Sequence, residues 1–454
     1  MAQVQNDVLQ LPNEVKFLNA ARLPSKLYVR KAYEDLHSLI HDTYRHRSIL
    51  VVGNPGTGKS FFALYEMYRL LKDGATIVYE CLPFSVFMVL TAEQLLYAGP
   101  RLEMRHPLVR ELFRNHQTYY LFDAGTQRDI YPYCGVAAKT IVFSSPAKKN
   151  YHDYVKHSDP KMLYMPVWTL DELERVVGSV QAQTRYKIWG GIPRYVLKLD
   201  QDTTPIDDAV ATLTPESLHN LAYKLEELGT PTVSHIILHI HVARDEEGKP
   251  IYDRRGVFFA SDYVKEKVFD RFATSAIHQM CFYVENVGSY TGFEGQLFEM
   301  LAHQKLAAGG TFSVRKLQPN CSVSSTWTFN KFDVEYLEKV DDLTNYRSRQ
   351  NVYLRPRPRN FTSLDSIIIE SPHSVIGVQI TVSSSHPVKK IGLTDVMKYL
   401  QCRQAQFKLF FVVPKKVFDN YKPQSYTGSR DSVLECHSLH NVEQWVLLLK
   451  LCEE

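Results

Sequence analysis

The chain has 454 residues, 44% of them hydrophobic and 22% charged, with a mean hydropathy of −0.24: the composition of a soluble globular protein, too long for one ordinary core. A net charge of +4 neither demands nor excludes a nucleic-acid partner. The seven cysteines are odd in number, scattered and without a CxxC pair, which argues against a disulfide framework or a cysteine zinc site and for a reducing compartment.

The N-terminal stretch MAQVQNDVLQLPNEVK has neither the basic end nor the apolar run of a signal peptide, and no apolar run reaches the roughly 18 residues of a membrane span. From there strands alternate with helices: SILVVG (strand), SFFALYEMYRLLKDG (helix), then ATIVYEC, TYYLFDAG and KTIVFSS (strands). KMLYMPVW and the helix TLDELERVVGSVQ follow, with Thr169 and Glu172 spaced as a capping box. This alternation predicts an α/β domain with a parallel sheet over 26–200, after an N-terminal segment, 1–25. Residues 201–272 read as a mostly helical connector, and 273–454 as an α/β module with a mixed sheet.

VVGNPGTGKS is a strand running through Gly53-Asn54-Pro55-Gly56-Thr57-Gly58-Lys59-Ser60 into a helix. Such a loop can turn its N–H groups onto phosphate oxygens, with Lys59 neutralising charge and Ser60 offering a Mg²⁺ ligand. Asp123, ending the apolar run YYLFD, is placed for a second Mg²⁺-coordinating carboxylate. Ala124 stands where a water-activating Glu would follow, so slow hydrolysis or a switch is the natural expectation. Ser144 and Ser145 fit either a γ-phosphate sensor or an ordinary strand end. Arg194, after the Gly-Gly turn of WGGIPRYVL, fits either a γ-phosphate contact or the surface. This half resembles AAA-like and STAND ATPases with a P-loop, taking ATP or GTP with Mg²⁺.

In the last third, SLDSIIIESPHSVIGVQITVS reads as strand, tight turn and strand. Asp365 opens the first strand, and Gln379 and Thr381 share one face of the second. With Glu299 on the preceding helix, oxygen ligands from Glu299, Asp365 and Gln379 could hold Mg²⁺ against a phosphodiester. Thr381 cannot supply a lysine's charge, which Lys389 could bring from the neighbouring turn. Two core strands with solvent-facing polar residues is the alternative. Arg347, Arg349, Arg355, Arg357 and Arg359, interleaved with Tyr346 and Tyr353, suit phosphate contacts and base stacking, or a solvated Arg/Pro linker. His235, His239 and His241 read as structural histidines.

The ordered blocks LYVRKAYEDL, GNPGTGKS, YYLFDAG, GGIPRYVL, SHIILHIHV, FASDYV, GQLFEMLAHQKLAAGGTF and GVQITVSSSHPVK resemble the Crinkler effectors and their retrotransposon-hot-spot relatives, over roughly 25–450. The resemblance implies a STAND-like P-loop NTPase joined to a restriction-endonuclease-like domain of the PD-(D/E)xK class. It places catalytic roles on Glu299, Asp365 and Gln379, with Thr381 at the usual lysine position. Nucleotide roles fall on Gly58, Lys59, Ser60 and Asp123. It also implies the host-cell nucleus as site of action. The arginine run and the Glu299, Asp365 and Gln379 set point to DNA as partner. A host nuclear protein is the competing partner, oligomerisation is left open, and the sequence offers no apolar run for membrane association. The effector leader and its LFLAK-type motif are not found, so a leaderless, truncated or intracellular relative acting in the cytoplasm is the alternative to a secreted one. A degenerate nuclease fold that binds without cutting, and an NTPase switch without nucleic acid, are the competing readings of function.

Overall fold

The computed structural model describes residues 2–44, 48–125, 130–198, 200–223, 235–245, 247–272, 292–318, 324–357, 364–427, 439 and 442–450. The chain divides into two units, Met1–Arg271 and Phe272–Glu454.

In the first unit β1 (Gln3–Gln5), β2 (Val8–Gln10) and β3 (Lys26–Tyr28) form a small antiparallel sheet, where the sequence suggests only an N-terminal segment. α1 (Lys31–Ser38) runs on into a π-turn, Leu39–Thr43. The main sheet is built from β4 (Ile49–Val52), β5 (Thr76–Cys81), β6 (Val86–Leu90), β7 (Leu95–Gly99), β8 (Thr118–Asp123), β9 (Lys139–Ser144) and β10 (Lys161–Tyr164). Its order is β10-β4-β9-β8-β5-β6-β7. The strands from β10 to β5 are parallel, whereas β6 and β7 close the edge as an antiparallel pair that the alternation does not announce.

α2 (Lys59–Lys72) follows β4, and α3 (Pro107–Arg114) and α4 (His152–Ser158) connect later strands. Along β4, Ile49 and Val51 pack into one core with Phe62 and Tyr65 of α2. Leu50 and Val52 pack into another with Val109, Phe113, Tyr151 and Tyr154. A strand buried on both faces is the reason SILVVG reads as continuously apolar.

α5 (Leu170–Val177), α6 (Ser179–Trp189), α7 (Pro193–Val196), α8 (Thr204–Ala211) and α9 (Pro215–Tyr223) follow. The expected helix TLDELERVVGSVQ is divided at Gly178, with φ of +84°, where α5 ends and α6 begins. Within the expected helical connector, β11 (Leu238–Arg244) and β12 (Pro250–Phe259) form an antiparallel hairpin before α10 (Asp262–Arg271).

The second unit starts with α11 (Gly292–Ala308). Its strands are β13 (Gly310–Lys316), β14 (Ser324–Phe329), β15 (Asp333–Leu337), β16 (Val352–Pro356), β17 (Ser366–Ser371) and β18 (Ser374–Ile380). After the short β19 (Val388–Lys389) come α12 (Lys390–Leu400), β20 (Phe407–Val413), β21 (Tyr426–Thr427) and β22 (Glu443–Leu448). Eight of these strands form one mixed sheet in the order β14-β13-β22-β20-β18-β17-β16-β15, and β19 pairs separately with β21.

Ile367, Ile369, Val375, Leu409 and Phe411 bury one face of that sheet against Leu393 and Val396 of α12. On the other face Trp327, Phe329, Phe410 and Trp445 form an aromatic cluster with ring centroids 5.2–6.4 Å apart. The Arg/Pro-rich stretch is no simple linker, because β16 runs through it. Among the described residues no helix is long and apolar enough to cross a membrane. Cys81, Cys134 and Cys402 are free thiols; the other four cysteines lie outside the described residues.

Candidate functional site

The glycine-rich loop joins β4 to α2 and is held from several sides. Gly56 and Gly58 have φ of +88° and +101°, which only glycine adopts without strain. A Cβ on Gly58 would lie 2.4 Å from the Tyr33 hydroxyl, and one on Gly56 would lie 2.9 Å from Arg194 Cβ. Tyr33 donates to Gly58 O at 2.8 Å, and Trp168 Nε1 to Thr57 O at 2.9 Å. Asn54, fully buried, receives the Ile240 N–H at 2.7 Å and donates to Leu238 O at 3.0 Å, fastening the loop to β11. Thr57 Oγ1 donates to Asn54 O at 2.9 Å.

Lys59 Nζ curls back onto the loop, donating to Gly53 O at 2.8 Å and Asn54 O at 2.9 Å. Burial pushes its ammonium down to about 7; Asp123 opposes that shift and Arg194 adds to it. Asp123, at the end of β8, is buried, which pushes its carboxyl up to about 6 against hydrogen bonds from Ser60 and Cys81 and the charge of Lys59. Lys59, Ser60, Asp123 and Arg194 are thus neighbours around one loop.

Gly53 N–H donates to Ser144 O at 3.3 Å, so Ser144 adjoins the loop. Its buried hydroxyl has no partner among the described residues. Ser145 instead accepts from Asn150 at 2.9 Å.

Arg30 gave no signal in the sequence, yet it underpins this region. Its guanidinium, 1% exposed, donates to Glu172 Oε1 and Oε2 at 2.8 and 2.9 Å, and to Pro166 O and Val167 O at 3.0 and 3.1 Å. Glu172 lies 142 residues away in the chain, so no local pattern could join the two. Of the histidine trio, His235 pairs with Tyr195 at 2.7 Å, and His241 packs edge-on to Phe258.

In the second unit Asp365 directly precedes β17, and its Oδ2 accepts the Ile380 N–H at 2.6 Å. The strand pairing ends at Ser366–Val378, and the Asp365 N–H donates to Val378 O at 2.9 Å, so Asp365 flanks Val378 and Ile380 at the mouth of the strand pair. Gln379 is buried, and its Oε1 has no partner among the described residues. Thr381 is also buried, and its hydroxyl accepts from Ser383 N–H at 3.1 Å. The alternative of solvent-facing polar residues therefore does not hold for Gln379 and Thr381. Lys389 lies outside the main sheet, exposed on β19.

Gly295, Glu299 and His303 share one face of α11 at four-residue spacing. A Cβ on Gly295 would touch Val382 at 3.7 Å, and His303 Nδ1 hydrogen-bonds the Tyr353 hydroxyl at 2.7 Å. Glu299 lies between them, 3.8 Å from His303 Nε2. Burial above all holds Tyr353 protonated; Ser366 and Arg355 oppose that, and the charges of Asp365 and Glu299 reinforce it. Both carboxylates thus act on one hydroxyl. Among the described residues they join no trio of His, Cys, Asp or Glu side chains close enough to share an ion.

The arginine run is partly consumed inside the unit. Arg349 pairs with Glu335, Arg357 with Glu338 at 2.8 Å, and Arg347 donates to Tyr399 O at 2.8 Å. Arg359 lies outside the described residues.

No family model matches the chain. It is 23% identical over 430 residues to Crinkler effector protein 15 of Phytophthora infestans, and 23% identical over 436 residues to Crinkler effector protein 16 of the same organism. Each alignment covers 88% of this chain and 65% of the relative, so the chain spans about 65% of the length of the curated relatives it matches. That extent supports the likeness to Crinkler effectors drawn from the ordered sequence blocks.

Proposed function

We propose that the chain is a Crinkler-like effector that binds ATP or GTP at the Gly53–Ser60 loop and engages DNA through its second unit, acting in a host nucleus. The observation that carries this reading is the partly buried Lys59 ammonium, turned onto its own loop carbonyls beside Ser60 and Asp123. A triphosphate would replace those carbonyls as the partner of Lys59, with loop N–H groups and Arg194 around it. Ser60 and Asp123 would hold Mg²⁺, which supplies charge neutralisation of the phosphates. Filter binding of labelled triphosphate tests this: retention by the wild type and loss in Lys59→Ala supports it, and equal retention by both overturns it.

For the second unit, Glu299, Asp365 and Gln379 would hold Mg²⁺, whose chemistry is to polarise a phosphodiester and generate hydroxide. Gln379 and Thr381, standing where a carboxylate and a lysine are usual, favour the reading in which this unit binds without efficient cutting. Plasmid nicking with Mg²⁺ or Mn²⁺ separates the two. Nicking lost in Asp365→Ala supports an enzyme, whereas salt-dependent DNA binding without nicking supports a binding module. No DNA binding at low salt would leave an NTPase switch.

A further inference from the structure

We propose that His37, His41 and Glu66 form a binding site for a zinc-class divalent metal ion, separate from the glycine-rich loop. His37 lies in the last turn of α1, and His41 four residues on, within the π-turn. Glu66 projects from the middle of α2. π-turns are rare and gather at functional sites, and this one sets the second imidazole over the first, with ring centroids 4.5 Å apart.

Both rings aim a nitrogen at the same carboxylate. His37 Nδ1 is 3.1 Å from each Glu66 oxygen, and His41 Nε2 is 3.0 Å from Oε2. One ligand atom from each of the three residues lies within 4.8 Å of the others. Tetrahedral zinc, with ligands at about 2.0–2.2 Å, separates them by roughly 3.3–3.6 Å, so the His–Glu contacts of 3.0–3.1 Å need to widen slightly and any pair near the 4.8 Å limit to draw together for the ion to enter.

The ligand set selects the metal. Two imidazoles and one carboxylate suit Zn²⁺ or Co²⁺, whereas Mg²⁺ prefers an all-oxygen shell. Glu66 is wholly buried, His37 nearly so, and His41 is 19% exposed. A cleft of about 540 Å³ opens beside the two rings, bordered also by Asp42, Arg69, Asp73 and Tyr119. It gives an ion a route in and leaves room for water as a further ligand. The bound ion would fasten α1 to α2, the helix that follows the glycine-rich loop.

The plain alternative is that two imidazoles only hydrogen-bond a buried carboxylate. Titrating chelator-treated full-length protein with Co²⁺ and following its visible absorption distinguishes the two. The site requires one Co²⁺ per chain with the intense spectrum of a four-coordinate ion, displaced by Zn²⁺. His41→Gln, at the partly exposed ligand, should weaken Co²⁺ binding at least tenfold while circular dichroism stays unchanged. Zn²⁺ should raise the melting temperature of the wild type more than that of His41→Gln. Failure to bind one Co²⁺ per chain, or equal binding by His41→Gln, overturns the proposal.

Discussion

Arg30 and Glu172 meet through two parallel hydrogen bonds of 2.8 and 2.9 Å, and the same Glu172 closes the capping box of α5 with Thr169. One carboxylate thus fixes the start of a helix and neutralises a buried guanidinium. That guanidinium also ties down the carbonyls of Pro166 and Val167. Removing it strands a partly buried carboxylate and two carbonyls, so Arg30→Ala should cost about 3 kcal/mol. Arg30→Lys should recover only part, since a single ammonium cannot reproduce the planar fork. Chemical denaturation reads both; an unchanged midpoint in Arg30→Ala would refute this role.

Asn54 makes two buried hydrogen bonds to β11, at Leu238 O and Ile240 N. Asn54→Ala leaves both backbone groups unsatisfied and should destabilise this junction by about 1–3 kcal/mol. The Ile240 amide should exchange with deuterium faster in the variant, and unaltered protection would show that the hairpin does not depend on the loop.

His239 carries a clear acid-side pH signature. Burial, with His241 and His235 nearby, pushes its imidazole down to about 3 from 6.5. As pH falls below about 6.5 the unfolded chain takes up this proton while the folded chain does not. The stability is therefore complete above 6.5 and erodes toward about 3, by about 1.4 kcal/mol per pH unit. His239→Gln should flatten the acid limb of the stability curve by close to one proton; an identical slope would contradict the assignment.

Gln379 has a buried oxygen without a partner among the described residues, and the Asp365 carboxylate accepts the N–H of its neighbour Ile380. Gln379→Glu would place a second carboxylate there. Without Mg²⁺ the two charges repel, so the variant should melt below the wild type, and Mg²⁺ should restore it. Calorimetric scans with and without Mg²⁺ check this; a variant blind to Mg²⁺ would argue against a metal role for the pair.

Much of this was legible locally. The β4–loop–α2 unit, the strand pair around Asp365 and the Thr169–Glu172 cap are set by residues a few positions apart, where periodicity and capping chemistry speak directly. The hairpin β11–β12 was not, because strong helical periodicity on either side masked two strands joined through the charged stretch around Asp245–Gly248. Arg30 drew no attention because its partner is remote in sequence. The arginine run looked free for phosphates because nothing local reveals that Glu335 and Glu338 fold back onto it.

Binding of Mg²⁺-triphosphate to the full chain, measured by isothermal titration for wild type and Lys59→Ala, tests the central claim most directly. One triphosphate per wild-type chain, with affinity lowered at least a hundredfold in Lys59→Ala, is the expected result. Equal affinities, or no binding to a folded wild type, would contradict it.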